Sequence, residues 1–168
     1  MLTVVLGGAR SGKSRYAEAL ITALPPPWRY IATAEPFDEE MIARIAAHRA
    51  RRGEGWITLE IPQNLSEILA ADGDKPSIVD CLTLWLSNLL LADVDIESEI
   101  TRLEEVLRTS AAERVLVSNE VGFGIVPETA LGRRFRDLQG ELNRRVADLA
   151  DRVVLMIAGV PLIIKDQP

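Results

Sequence analysis

Two short stretches of this chain combine residue types and spacings suited to phosphate chemistry. The first is "GGARSGKS", residues 7–14, which fits G-x-x-x-x-G-K-[ST]. A glycine-rich turn of this kind aims successive backbone N–H groups at phosphate oxygens, at the positive end of the helix that follows. Gly7, Gly8, Ala9, Arg10, Ser11 and Gly12 would form that cradle. Lys13 would reach the β- and γ-phosphates of a nucleoside triphosphate, and Ser14 would ligate Mg²⁺. The second stretch is "HRARR", residues 48–52, which holds the one histidine of the chain. If this segment is helical, Arg44, Arg51 and Arg52 project beside the imidazole of His48, and Arg49 and Ala50 follow it directly. Like charges disfavour the imidazolium and leave the neutral, nucleophilic ring, while arginines grip phosphate oxygens in pairs. Basic residues also collect at helix C-termini because they complement the macrodipole. The local pattern leaves both readings open.

Acidic residues complete the set. Asp80 closes "SIVD", where a P-loop protein needs a carboxylate at the end of a neighbouring strand to hold Mg²⁺ through water. Glu120, in "SNEVGFG", follows another apolar run. Ligands of open α/β sheets gather beyond the carboxyl ends of the strands, so Asp80, Thr83, Asn119 and Glu120 are expected to share a crevice with the P-loop. Gly122 and Gly124 either let that last loop close over a substrate or form a plain turn.

These groups need elements to position them, and the hydrophobic pattern supplies strands and helices in alternation. Residues 2–6, 28–33, 56–61, 76–80, 114–118 and 152–159 read as strands, several of them apolar without alternation, as strands buried on both faces are. Helices are expected over 13–24, 38–52, from about 64, after residue 80 through 91, over about 96–110 and over about 127–150. In the second of these, Met41, Ile42, Ile45 and Ala46 form one apolar face, with His48 at its margin. A terminal "PLIIK" follows the last strand. The fold class is α/β, with a mainly parallel sheet flanked by helices. At 168 residues, one domain spanning 1–168 is expected.

Composition excludes several function classes. A net charge of −6 argues against general binding of nucleic acid or anionic membranes. One cysteine permits neither an internal disulfide nor a cysteine zinc cluster, and suits a reducing cytoplasm. No run approaches the 18 or so apolar residues of a membrane span, and the N-terminus lacks the basic flank of a signal peptide. A soluble intracellular domain is the expectation.

In combination, "GGARSGKSRYAEAL", "YIATAEPFDEEMIARIAAHRARR", "DCLTLWLSNLL" and "SNEVGFGIVPE" resemble the bifunctional adenosylcobinamide kinase/adenosylcobinamide-phosphate guanylyltransferase family of cobalamin biosynthesis. The resemblance runs along nearly the whole chain. It implies a RecA-like P-loop fold and a homotrimer. It also implies phosphorylation of adenosylcobinamide by ATP or GTP, then transfer of GMP from GTP through a histidine–GMP intermediate to give adenosylcobinamide-GDP. Carried over, His48 becomes the guanylylated residue. Residues 7–14 become the phosphate loop, and Ala32, Thr33 and Ala34 the nucleotide-contacting segment after the second strand. Arg49, Ala50, Arg51, Arg52, Glu60 and Asp80 become further nucleotide-binding positions; some relatives carry glutamate where Asp80 stands. Two alternatives use the same P-loop: a kinase for another small metabolite, with His48 on a solvated helix face, or a nucleotide-dependent switch or assembly ATPase.

Overall fold

The computed structural model describes residues 1–35, 39, 42, 46, 50, 52–71 and 73–167. The apolar runs become strands of one sheet: β1 (Leu2–Gly7), β2 (Trp28–Ala32), β3 (Trp56–Glu60), β4 (Ser77–Asp80), β5 (Arg114–Asn119), β6 (Arg152–Ile157) and β7 (Val160–Asp166). Their order is β3-β2-β4-β5-β1-β6-β7. Every pairing is parallel except β6 with β7, an antiparallel hairpin turned at Ala158 and Gly159. The terminal "PLIIK" therefore lies within an edge strand.

The central strands have no polar alternation because both of their faces are covered. Leu2, Val4 and Leu6 of β1 point into one core, with Val79 and Leu116 beside them. Helices α2 (Leu65–Ala71), α3 (Leu82–Leu91), α4 (Ile96–Thr109) and α5 (Ala130–Leu149) supply most of the rest of that core, with Ile31 and Val153 from other strands. Val5, Ile78, Val115, Val117 and Val154 point the other way, onto Ala17 and Ile21 of α1 (Lys13–Thr22). Each fully buried aliphatic side chain contributes about 1.5–3 kcal/mol relative to exposure, so this two-sided burial is what forces strands rather than helices here. Trp85 of α3 is fully buried and donates its indole N–H to the Gln63 carbonyl at 2.7 Å, which satisfies its one polar atom.

Some boundaries differ from the sequence expectation. The last helix begins at Ala130 rather than Pro127, because the Thr129 hydroxyl accepts from Gly132 N–H and caps it there. Between β2 and β3, Glu39, Ile42, Ala46 and Ala50 are helical and all exposed, Ile42 at 53%. Ile42 and Ala46 belong to the expected apolar face; periodicity says which residues share a side, not what packs on it. His48, Arg44, Arg49 and Arg51 lie outside the described residues, as do Met41 and Ile45. Among the described residues no helix is long and apolar enough to cross a membrane.

Candidate active site

β1 ends at Gly7 and α1 begins at Lys13, so the predicted phosphate loop is the turn between them. Gly7 (φ 150°) tolerates no larger residue, since a Cβ there would lie 2.6 Å from the Met156 carbonyl oxygen and 2.8 Å from Ser11 Oγ. Gly12 caps α1 from the left-handed region (φ 95°), with no side chain taking up the first N–H groups of the helix. Arg10 also has positive φ, at 55°. Ser11 N–H donates to the Gly8 carbonyl at 3.4 Å, and Gly159 N–H donates to the Ser11 carbonyl at 3.2 Å, which fastens the loop to the β6–β7 turn. Ser11 Oγ is buried without a hydrogen-bond partner among the described residues. A hydroxyl left over in a loop of inward-facing amides suits a phosphate oxygen. Gly8 and Ala9 are exposed, Ser14 is partly buried, and Lys13 is buried with its ammonium donating to the Gly8 carbonyl at 2.6 Å.

The carboxyl edge of the sheet brings the other candidates to the same end. Glu120 N–H donates to the Gly7 carbonyl at 3.1 Å, so the loop after β5 starts against the phosphate loop. The Glu120 carboxylate accepts from Gly122 N–H at 2.6 Å, and a Cβ on Gly122 would lie 2.8 Å from that oxygen. Gly122 thus lies in a turn closed by the Glu120 carboxylate. Asn119 is held from both sides, its N–H donating to Thr83 Oγ1 at 2.7 Å and its carbonyl accepting from Asn143 at 3.0 Å. Asn143, Gln139 and Ser118 are joined by bonds of 2.7–3.0 Å beneath it.

Strand order corrects one expectation. β5 lies between β1 and β4, so Asp80 does not end a strand adjacent to the phosphate loop. Two inter-strand spacings separate the strands, about 10 Å; the acidic residue that directly follows the neighbouring strand is Glu120.

Asp80, Ala32 and Glu60 form one row, since Ala32 pairs with Glu60 across β3 and with Asp80 across β4. Ala32 and Ala34 are partly buried and Glu60 is exposed. Thr33 is fully buried: its hydroxyl donates to the Cys81 carbonyl at 2.6 Å and accepts from Cys81 N–H at 2.8 Å. Its own N–H donates to the Asp80 carbonyl, and its carbonyl accepts from Asn88. All of Thr33's polar groups thus join β2 to β4 and α3. Burial and the nearby Asp80 charge push the Cys81 thiol up to about 11, which leaves it unreactive near neutrality.

Sequence reasoning missed Tyr30. Its buried phenol donates to Asp80 Oδ2 at 2.6 Å, and the guanidinium carbon of Arg52 sits 3.7 Å from its ring centroid. Trp56 meets the same ring edge-on at 5.9 Å. The available signal was a tyrosine in the middle of a strand, since a phenol that becomes buried needs a partner. Of the basic cluster, Arg52 is partly buried and Ala50 is helical and exposed.

Among the described residues no three or more His, Cys, Asp or Glu side chains are grouped to hold a metal ion.

The family model described as "Cobinamide kinase / cobinamide phosphate guanyltransferase" matches residues 3–164. The chain is 45% identical to the bifunctional adenosylcobalamin biosynthesis protein CobP of Pseudomonas aeruginosa, over 100% of this chain and 99% of that one. It is 41% identical to the corresponding CobU protein of Salmonella typhimurium and 42% to that of Escherichia coli, in each case over 98% of this chain and 100% of the relative.

Proposed function

The chain belongs to the cobinamide kinase/cobinamide phosphate guanyltransferase family, and on that premise we propose a two-step reaction at the phosphate loop. The enzyme phosphorylates adenosylcobinamide with ATP or GTP. It then transfers GMP from GTP to the new phosphate through a His48–GMP intermediate, giving adenosylcobinamide-GDP for cobalamin biosynthesis. The observation that carries this reading is the phosphate loop at the carboxyl edge, with Asp80 and Arg52 joined through Tyr30 at the same edge.

In the first step the substrate hydroxyl attacks the γ-phosphorus, the bond to the β-phosphate oxygen breaks, and the nucleoside diphosphate leaves. In the second, an imidazole nitrogen of His48 attacks the α-phosphorus of GTP and pyrophosphate leaves. A phosphate oxygen of adenosylcobinamide phosphate then displaces the histidine nitrogen. The loop amides at residues 7–14 and the ammonium of Lys13 bind the β- and γ-phosphates in both steps. The arginines Arg49, Arg51 and Arg52 offset charge that develops on the α-phosphate and on pyrophosphate. Ala32, Ala34, Ala50 and Glu60 line the nucleotide, with the fully buried Thr33 bracing the strand ends behind them. Ser14, and Asp80 through water, would hold Mg²⁺, which supplies charge neutralisation on the phosphates when bound.

Incubation with Mg²⁺ and GTP is expected to add one GMP mass per chain, on the peptide that contains His48. A phosphoramidate is labile in acid and comparatively stable in base, unlike a serine or threonine ester. No adduct, or an adduct on Lys13, would count against the guanylyl-transfer half of the reading.

The protein is further proposed to act as a homotrimer of single-domain subunits in the cytoplasm. Support comes from edge strand β7, where Val160, Leu162, Ile163 and Ile164 are all more than half exposed, at 51–65%. A long apolar edge left open invites pairing with another chain. Sedimentation is expected to give three times the 18.5 kDa chain mass. A Leu162→Lys substitution should lower that mass, and a monomeric wild-type protein would sink the trimer.

A further inference from the structure

We propose that Tyr30 is a positioning residue, which mounts the carboxylate of Asp80 and the guanidinium of Arg52 on one buried ring beside the nucleotide. The inference rests on the functional reading above for the reaction those two groups serve. Tyr30 lies on β2, between β3 and β4, and is only 3% exposed. Neither the sequence pattern nor the phosphate loop assigns it a task.

Its two ends do different things. The hydroxyl bond to Asp80 Oδ2, at 2.6 Å, has the short length of a donor bound to an ionised acceptor. An ionised carboxylate has about four lone-pair positions, so a single phenol fixes its rotamer without exhausting it. Among the described residues Tyr30 is the only side chain that donates to Asp80, and Oδ1 receives no hydrogen bond.

The ring face holds Arg52 in a way a carboxylate would not. A guanidinium paired with an acid uses its N–H groups on the partner, and its charge is offset there. Stacked at 3.7 Å on an aromatic face, it is attracted by the ring quadrupole and keeps both charge and donors. Nε and Nη1 of Arg52 are buried with no hydrogen-bond partner among the described residues. Buried orphan donors on a cation point to an anionic occupant, here the nucleotide's phosphate. Trp56, packed edge-on at 5.9 Å and itself against Trp28 at 5.4 Å, keeps the ring from turning. One side chain therefore couples an acid fifty residues away in sequence to a base twenty-two residues away.

The test is a double-mutant cycle, read first by calorimetric affinity for GDP with Mg²⁺. Tyr30→Phe keeps the ring and its stack but deletes the hydroxyl. It should weaken binding about fivefold in the wild-type background, within the range for groups in direct contact. In an Asp80→Asn background the same change should cost less than twofold, because the hydroxyl then has no carboxylate to hold. Equal losses in both backgrounds, or none in either, would overturn the proposal and leave Tyr30 as core packing. Should Asp80→Asn fail to fold, the single variant still decides, since packing alone would shift only its melting temperature. The rate of GMP-adduct formation gives the second readout. Tyr30→Leu, which removes both mounts, should slow it further than Tyr30→Phe does; equal rates would overturn the Arg52 half. GDP affinity is measured without turnover, so absence of any His48 adduct would fail the guanylyl-transfer reading while the binding cycle still judged Tyr30.

Discussion

His48→Ala is expected to abolish GMP transfer while phosphorylation of adenosylcobinamide remains at least partly active. Transfer of a γ-phosphoryl group to a hydroxyl needs positioning and charge stabilisation but no covalent enzyme intermediate. Guanylyl transfer through a histidine needs its nucleophile absolutely, and the chain has no second histidine to substitute. Mass analysis of the products separates the steps: the variant should accumulate adenosylcobinamide phosphate and make no adenosylcobinamide-GDP. Equal loss of both products, in a variant with wild-type circular dichroism and melting temperature, would tell against dividing the work this way. Arg51→Ala and Arg52→Ala should fall between, slowing adduct formation more than kinase turnover.

Lys13→Ala is expected to lower both activities together, by a factor of order 10² or more, the usual cost of one preorganised charge in such a site. The side chain is buried and its ammonium donates to the Gly8 carbonyl at 2.6 Å, which holds it inside the loop. The same bond means that truncation also removes a donor from the Gly8 carbonyl, and nucleotide affinity should drop along with turnover. Rates of both steps, measured with one purified variant, check this. Survival of either activity at the wild-type level would require a second nucleotide site and end the single-loop account.

The phosphate loop was legible because its chemistry is local. Gly7, Gly12, Lys13 and Ser14 sit within eight residues, and the loop's conformation follows from glycine freedom at a strand-to-helix turn. The α/β class was legible for a similar reason, since residues 2–6 and 114–118 are apolar without alternation and only two-sided burial explains that pattern. The Gly-Phe-Gly loop after β5 was recognisable as a loop, but its closure by the Glu120 carboxylate on Gly122 was not. The helix-cap shift from Pro127 to Ala130 shows the limit at short range, where a threonine hydroxyl outweighs the preference of proline for a first turn.

Other features arise only when distant segments meet. Nothing near Asp80 says that β5 will lie between its strand and the phosphate loop, because parallel strands are paired by crossovers rather than by adjacent turns. "YIATA" does not reveal that Thr33 will spend its hydroxyl on both sides of the Cys81 peptide while Ala32 lies in the row between Glu60 and Asp80. The bond from Tyr30 to Asp80 and the stack of Arg52 on the same ring join three segments that share no local pattern. Residue type and spacing along a chain specify what a segment can do. Which groups meet depends on strand order, register and the burial that follows, and those are set by long-range packing summed over the whole sheet.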